Sequence, residues 1–296
     1  NEGRMAAADA VAPAPAPPAA PQMAATRAAA AAPPSLMKSA MAAELDFNAR
    51  DEVFGISVDR GAFSRVKNAI EKGERPAAVN VEALVNYFAG PQKTRREVSL
   101  ETEASPAPVG AEERRAILRY TIDTASVAVP AGASVPPVAA DAKIEVVFEP
   151  KAVASHRLIG GDGDSQKAEA SLLKNTSVTA LYAIELKDGL TARQKVATVR
   201  LTYRSVADGR PHTLLSTIYG RDFARPWRAA SRRHRLASLG AVWGETLKGA
   251  PSAPDVARRA EELALQEPKD AKARELASLA TASSRLQSSA PTGSGR

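Results

Sequence analysis

From Asp59 onward, apolar residues recur with the spacing of a helix. Phe63, Val66 and Ile70 fall at i, i+3 and i+7, and Gly73 stands where a helix ending there would put its left-handed C′ residue. A second stripe follows at Val81, Leu84, Val85 and Phe88, with Asn80 as candidate N-cap and Gly90-Pro91 as a stop. Together they predict a helical pair that covers one face or end of a sheet.

The period then changes to two, the mark of half-buried strands. Val98 and Leu100 share one face, and so do Leu118, Tyr120 and Ile122. Ile144, Val146 and Phe148 alternate with Glu145 and Val147. Val178, Ala180, Tyr182, Ile184 and Leu186 line one side of the next segment, Ala197, Val199, Leu201 and Tyr203 do the same, and His212 to Tyr219 supplies a sixth candidate. Short strands without helices of crossover length between them predict an antiparallel sandwich rather than a parallel α/β sheet.

Beyond Arg221 the helical spacing returns, with Leu236, Leu239, Val242, Trp243 and Leu247 on a common side. Two further amphipathic helices are expected, from Asp255 to Gln266 and from Asp270 to Leu286, each with its Asp as N-cap after a Pro-containing turn. Leu263, Leu265, Leu276 and Leu279 fall on their apolar stripes, which are expected to pack on the chain's own domain. The fold class is therefore mostly β with flanking helices (α+β), a β-sandwich-like domain with N- and C-terminal helices.

Composition sets the boundaries. Residues 1–45 are an Ala/Pro stretch in which proline breaks the helix that alanine would support, so a disordered stalk is expected. The sandwich with its helical flanks then occupies 46–249, interrupted by a short linker at 123–141, the C-terminal helical pair 250–287, and a disordered tail 288–296. Cysteine is absent from the 296 residues, which excludes disulfides, thiolate metal ligands and a cysteine nucleophile. Aromatic residues make up 4% of the chain, so the core must be built from small aliphatics around a few large anchors. The net charge of +7 permits contact with polyanions without requiring it. No apolar run is long enough to span a bilayer, and the opening shows no basic region followed by an apolar one of the signal-peptide kind, which fits a mature chain and an upstream targeting segment that has been cut away equally well.

Two blocks carry a family resemblance: FGISVDRGAFSRVKNAIEKGERPAAVNVEALVNYF, from Phe54 to Phe88, and AKIEVVFEPKAVASHRLIG, from Ala142 to Gly160. Both resemble bacterial YfbK-like proteins that contain a von Willebrand factor type A (VWA) domain. The likeness covers residues 54–88 and runs from 142 to about 249. In those proteins the blocks flank an inserted VWA domain whose Asp-x-Ser-x-Ser motif holds a divalent cation. That motif occurs nowhere in this chain, and residues 124–140, TASVAVPAGASVPPVAA, lie where the insert would be. The resemblance implies a bacterial, periplasmic or envelope-associated, non-enzymatic chain that contacts other proteins. The metal-dependent adhesion site carries over to no residue.

Motifs with chemical meaning are few. Asp162 and Asp164 in the run from Gly160 to Gln166 lack the further acidic ligands of a calcium loop, so a surface turn is expected. His156, His212 and His234 are far apart with no zinc spacing, and no nucleophile elbow or phosphate-cradling loop occurs. Neither a cofactor nor a catalytic residue is expected. The sharpest feature is a basic run containing Arg221, Arg225, Arg228, Arg232, Arg233 and Arg235 with Trp227 interleaved. Guanidinium groups beside an aromatic plane suit phosphates, anionic glycans or lipid headgroups. Two functions follow: a protein-interaction scaffold, and as its alternative a polyanion binder using Arg221 to Arg235. The partner expected is a protein rather than nucleic acid, with peripheral contact to a membrane or anionic polymer under the alternative.

Overall fold

The computed structural model describes residues 61–110, 114–130, 132–160, 170–250 and 252–288. The expected stalk, the Asp162 and Asp164 turn and the tail from 289 lie outside these residues. In chain order the elements are α1 (Ala62–Glu71), α2 (Val81–Ala89), β1 (Val98–Pro106), β2 (Arg115–Thr124), β3 (Pro137–Phe148), β4 (Val153–Leu158), β5 (Ala170–Leu173), β6 (Ser177–Leu186), β7 (Lys195–Ser205) and β8 (Pro211–Tyr219). Single 3-10 turns at Gly220–Phe223 and Trp227–Ala229 lead into α3 (Arg232–Leu247), α4 (Ala253–Gln266) and α5 (Ala271–Ser288).

The helix ends follow local chemistry. Ala83 N–H donates to the Asn80 side chain at 2.9 Å, which caps α2. At the end of α1, Gly73 takes φ +78°, and Glu74 N–H donates back to Ala69 O at 2.9 Å in a Schellman arrangement. Asp270 caps α5 by accepting from Lys272 N–H at 2.9 Å. Asp255 differs from expectation. It lies inside the first turn of α4 and pairs with Arg258 at 3.2 Å, because the helix already starts at Ala253, with Pro254 in its first turn.

Among the described residues eight antiparallel strands form two four-stranded sheets, ordered β1-β2-β6-β4 and β5-β3-β7-β8. Their facing sides meet in one core. Leu118, Tyr120, Ile122, Val178, Ala180, Tyr182 and Ile184 from the first sheet pack against Val138, Ile144, Val199, Leu201 and Ile218 from the second. The strands on either side of the Pro-rich linker, β2 and β3, therefore belong to different sheets of one sandwich. β3 begins at Pro137, within the expected linker, so residues 125–136 make the crossing. The early start needs a bulge between Ala140 and Lys143, where Asp141 adopts φ +52°.

Two strands were not foreseen from periodicity. β4 carries Ala-Ser-His-Arg between buried Val153 and Leu158, since among the described residues it is an edge strand paired only to β6. β5 spans only Ala170–Leu173.

The outer face of the first sheet is covered as well. Val81, Val85 and Ala89 of α2 and Ala237 and Ala241 of α3 pack against Ile117, Leu181 and Ile159. Above them, α1, α4 and α5 close a second cluster around Phe63, Leu84, Phe88, Leu236, Leu239, Trp243, Val256, Leu263 and Leu276. Burying each such large side chain contributes about 1.5–3 kcal/mol. The result is three layers: helices, first sheet, second sheet. Helix α3 lies in the middle and is buried on nearly all sides. Leu265, expected on the apolar stripe of α4, is 82% exposed, whereas Leu263, Leu276 and Leu279 are buried. No helix among the described residues is long and apolar enough to cross a membrane.

Candidate functional site

The first turn of α3 sits over the outer face of the first sheet, where β1 and β2 present polar side chains. Arg233 donates to Asp123 through Nη1 (2.6 Å) and Nη2 (2.8 Å), and Nη2 also reaches Gly90 O (2.8 Å) and Ser177 Oγ (2.7 Å). Arg119 of β2, fully buried, donates to Thr121 Oγ1 (2.6 Å), Glu101 Oε1 (2.5 Å) and Glu103 Oε2 (3.1 Å). Glu103 in turn accepts from Ser231 N–H at 2.6 Å and from the Ser231 hydroxyl, at the N-terminus of α3. Burial works against the Glu103 charge, but these Ser231 hydrogen bonds, with His234 and Arg119 nearby, hold its pKa below the usual carboxylate range.

Beside this seam lies a cleft of about 460 Å³. One wall is Thr102 to Ser105 of β1 and another is Thr217 and Ile218 of β8; Arg221, Asp222, Arg225, Ala229 and Ala230 close it from the segment before α3. It forms where the edge strands of the two sheets approach, tied by a 2.6 Å hydrogen bond between Thr102 Oγ1 and Ser216 Oγ.

Ladder geometry tells which backbone groups face the cleft. Ala125 N–H donates to Glu97 O and Ala107 N–H to Arg115 O, so the mutually bonded pairs between β1 and β2 run through Ser99, Glu101, Glu103 and Ser105. Thr102 and Ala104 therefore point their N–H and C=O groups away from β2. Ser205 N–H donates to Arg210 O, which by the same alternation leaves Thr213, Leu215 and Thr217 of β8 pointing away from β7. No backbone hydrogen bond joins β1 to β8 among the described residues. Neither edge has a main-chain partner at the cleft among the described residues.

The structure divides the seven residues of the basic run. Arg233 is buried on Asp123, and Arg235 is buried with hydrogen bonds to Gln266 and Glu267. Trp227 is buried and donates its indole N–H to Ser238 Oγ at 2.9 Å. Arg232 is partly exposed but held by Asp270. Only Arg221, Arg225 and Arg228 remain exposed without a carboxylate partner among the described residues, and the Arg221 guanidinium stacks 4.6 Å from the Tyr219 ring centroid. The seven thus do not share one surface, because a helix buried on nearly all sides turns most of its arginines inward.

The histidines are likewise divided. His156 stacks on Phe148 at 4.2 Å, and His212 meets Asp208 at 3.2 Å while stacking on Tyr203. His234 lies 2.8 Å from Ser105 Oγ. A serine beside a histidine at a cleft suggests a nucleophile with its base, but the details oppose that role. Ser105 is 1% exposed, and its hydroxyl lies 2.8 Å from both Pro106 O and His234 Nε2, so the carbonyl competes for the one proton that a nucleophile gives to its base. Burial, and then the Arg119 charge, pull the His234 pKa down to about 3 against the opposing charge of Glu103. Nδ1 is buried with no hydrogen-bond partner and no orienting carboxylate.

The open edges escaped sequence reading because they are main-chain groups and carry no side-chain signature. Glu103, which links the seam to α3, was hidden by its ordinary place in an alternating strand. Comparison with curated proteins returns no match. A family model described as von Willebrand factor, vWF_A, matches residues 44–118, which takes in α1, α2, β1 and the start of β2. Over those residues the chain is similar to proteins of the von Willebrand A type.

Proposed function

We propose that the chain is a non-catalytic protein-interaction module of the bacterial cell envelope, a YfbK-like scaffold in which the linker 125–136 stands where relatives carry a VWA domain. One observation carries this reading. The strands flanking the linker share a single core, so the scaffold is complete without an insert, and it still presents open strand edges at a cleft. Strand edges and clefts of this kind suit polypeptide partners. The relation to von Willebrand A-type proteins, which often act through protein contacts, supports the same reading.

Crosslinking in envelope preparations, followed by affinity recovery of this chain, tests the reading. The same partner protein is expected from independent preparations. Recovery of no protein, or of lipid or nucleic acid alone, would overturn it.

A further inference from the structure

We propose that the cleft between β1 and β8 takes an acidic peptide in extended conformation, which adds as a strand to the open edge of β1 and places its carboxylates on Arg221 and Arg225. This rests on the interaction-module reading and names the chemistry of the partner. The edge is ready for it. Thr102 and Ala104 direct their N–H and C=O groups into the cleft, and β1 contributes four consecutive lining residues where β8 contributes two. A strand laid along them gains main-chain hydrogen bonds while alternate side chains meet the walls.

Charge selects the sequence of that strand. Arg221 and Arg225 are exposed and have no carboxylate partner among the described residues. The two carboxylates in the lining are already engaged: Glu103 by Ser231 and Arg119, and Asp222 by Tyr219 N–H at 2.8 Å. They leave the arginines free while repelling a ligand of unbroken negative charge. A peptide with intermittent Asp or Glu avoids that repulsion, and a polyphosphate or nucleic acid backbone does not. Alanines at 229 and 230 keep the wall opposite β1 low.

Fluorescence anisotropy with the full chain and a labelled peptide of alternating Glu and Thr provides the test. Expected are saturable binding, loss of about tenfold or more in affinity for the Arg221→Ser/Arg225→Ser variant, and a similar loss when Glu is replaced by Gln. N-methylation of alternate peptide amides removes main-chain donors and should abolish binding. Equal binding of the Gln peptide or of the methylated peptide would overturn the proposal, as would heparin or anionic vesicles binding the cleft more tightly than the peptide. Crosslinking of the same double variant separates the two readings. If it still recovers the partner protein of the parent chain, the cleft assignment fails and the interaction module stands; if the parent chain itself recovers none, the module reading fails.

Discussion

Arg233 reaches down from the first turn of α3 to grip Asp123, the penultimate residue of β2, with two hydrogen bonds of 2.6 and 2.8 Å. Both side chains are buried, so neither charge has water to fall back on. Asp123→Ala is expected to cost about 3–5 kcal/mol, since it leaves a buried guanidinium with only the longer 3.5 Å contact to Glu101 for a carboxylate. Pairing Asp123→Leu with Arg233→Met should recover a large part of that loss. A double-mutant cycle by denaturant unfolding checks it, and additive losses would show that the two do not act as a pair.

Gly240 gives a prediction whose sign is informative. It faces α2, and a Cβ added there would lie 2.7 Å from Phe88 Cδ2. The Phe88 ring is itself fixed edge-on by Phe63 and Trp243, so it cannot yield. Helix propensity alone favours Gly240→Ala by about 1 kcal/mol. Overpacking should reverse this to a net loss of about 1–3 kcal/mol, partly relieved by Phe88→Leu in the same chain. A stabilised Gly240→Ala variant would mean that α2 and α3 are not in close contact.

Stability should also depend on pH through His234. An unfolded histidine titrates near 6.5, whereas burial brings His234 down to about 3. Between those values the unfolded chain binds a proton that the folded chain refuses, so stability falls with falling pH by about 1.4 kcal/mol per unit. Nearer pH 4 and below, Glu103, Asp270 and Glu275 add a loss of the same sign. Each is held below the ordinary carboxylate range, burial being outweighed by hydrogen bonds from Ser231, Arg232 and Lys67 respectively. Urea unfolding between pH 7 and 5 should show the slope, and His234→Gln should flatten it by about one proton. An unchanged slope would assign the proton elsewhere.

The linker 125–136 joins sheets that hold together through their own core, and Gly132 in it has a positive φ and open space around its Cα. A flexible Gly/Ser insertion of about ten residues after Gly132 is expected to cost under about 1 kcal/mol, because loop-closure entropy grows only slowly with length. Cooperative unfolding lost on insertion would show that the junction is part of the core.

Sequence periodicity revealed the strands whose two faces differ and the helices that border one surface. Leu118, Tyr120 and Ile122, and likewise Ala197 to Tyr203, alternate because one side of each strand meets the sandwich core. It failed where burial is lopsided or absent. β4 shows no alternation in Ala-Ser-His-Arg because its neighbour β6 supplies the pairing, and α3 carries Arg233, His234 and Arg235 into the interior, where composition alone reads them as solvent-facing. The basic run was legible as arginines. Its division into buried pairs and free cations was not, because Asp123, Glu267 and Asp270 lie far from it in sequence.

The central position of α3 has a consequence for synthesis. Both sheets are finished at Tyr219 and α2 already lies over Ile117 and Leu181, yet α3, which completes that cover with Ala237 and Ala241, begins only at Arg232. A nascent chain leaving the ribosome thus displays a half-roofed oily face until its closing segment has emerged. During that interval the molecule depends on holdase protection or on speed, and a chain released before residue 247 stays permanently in that vulnerable state.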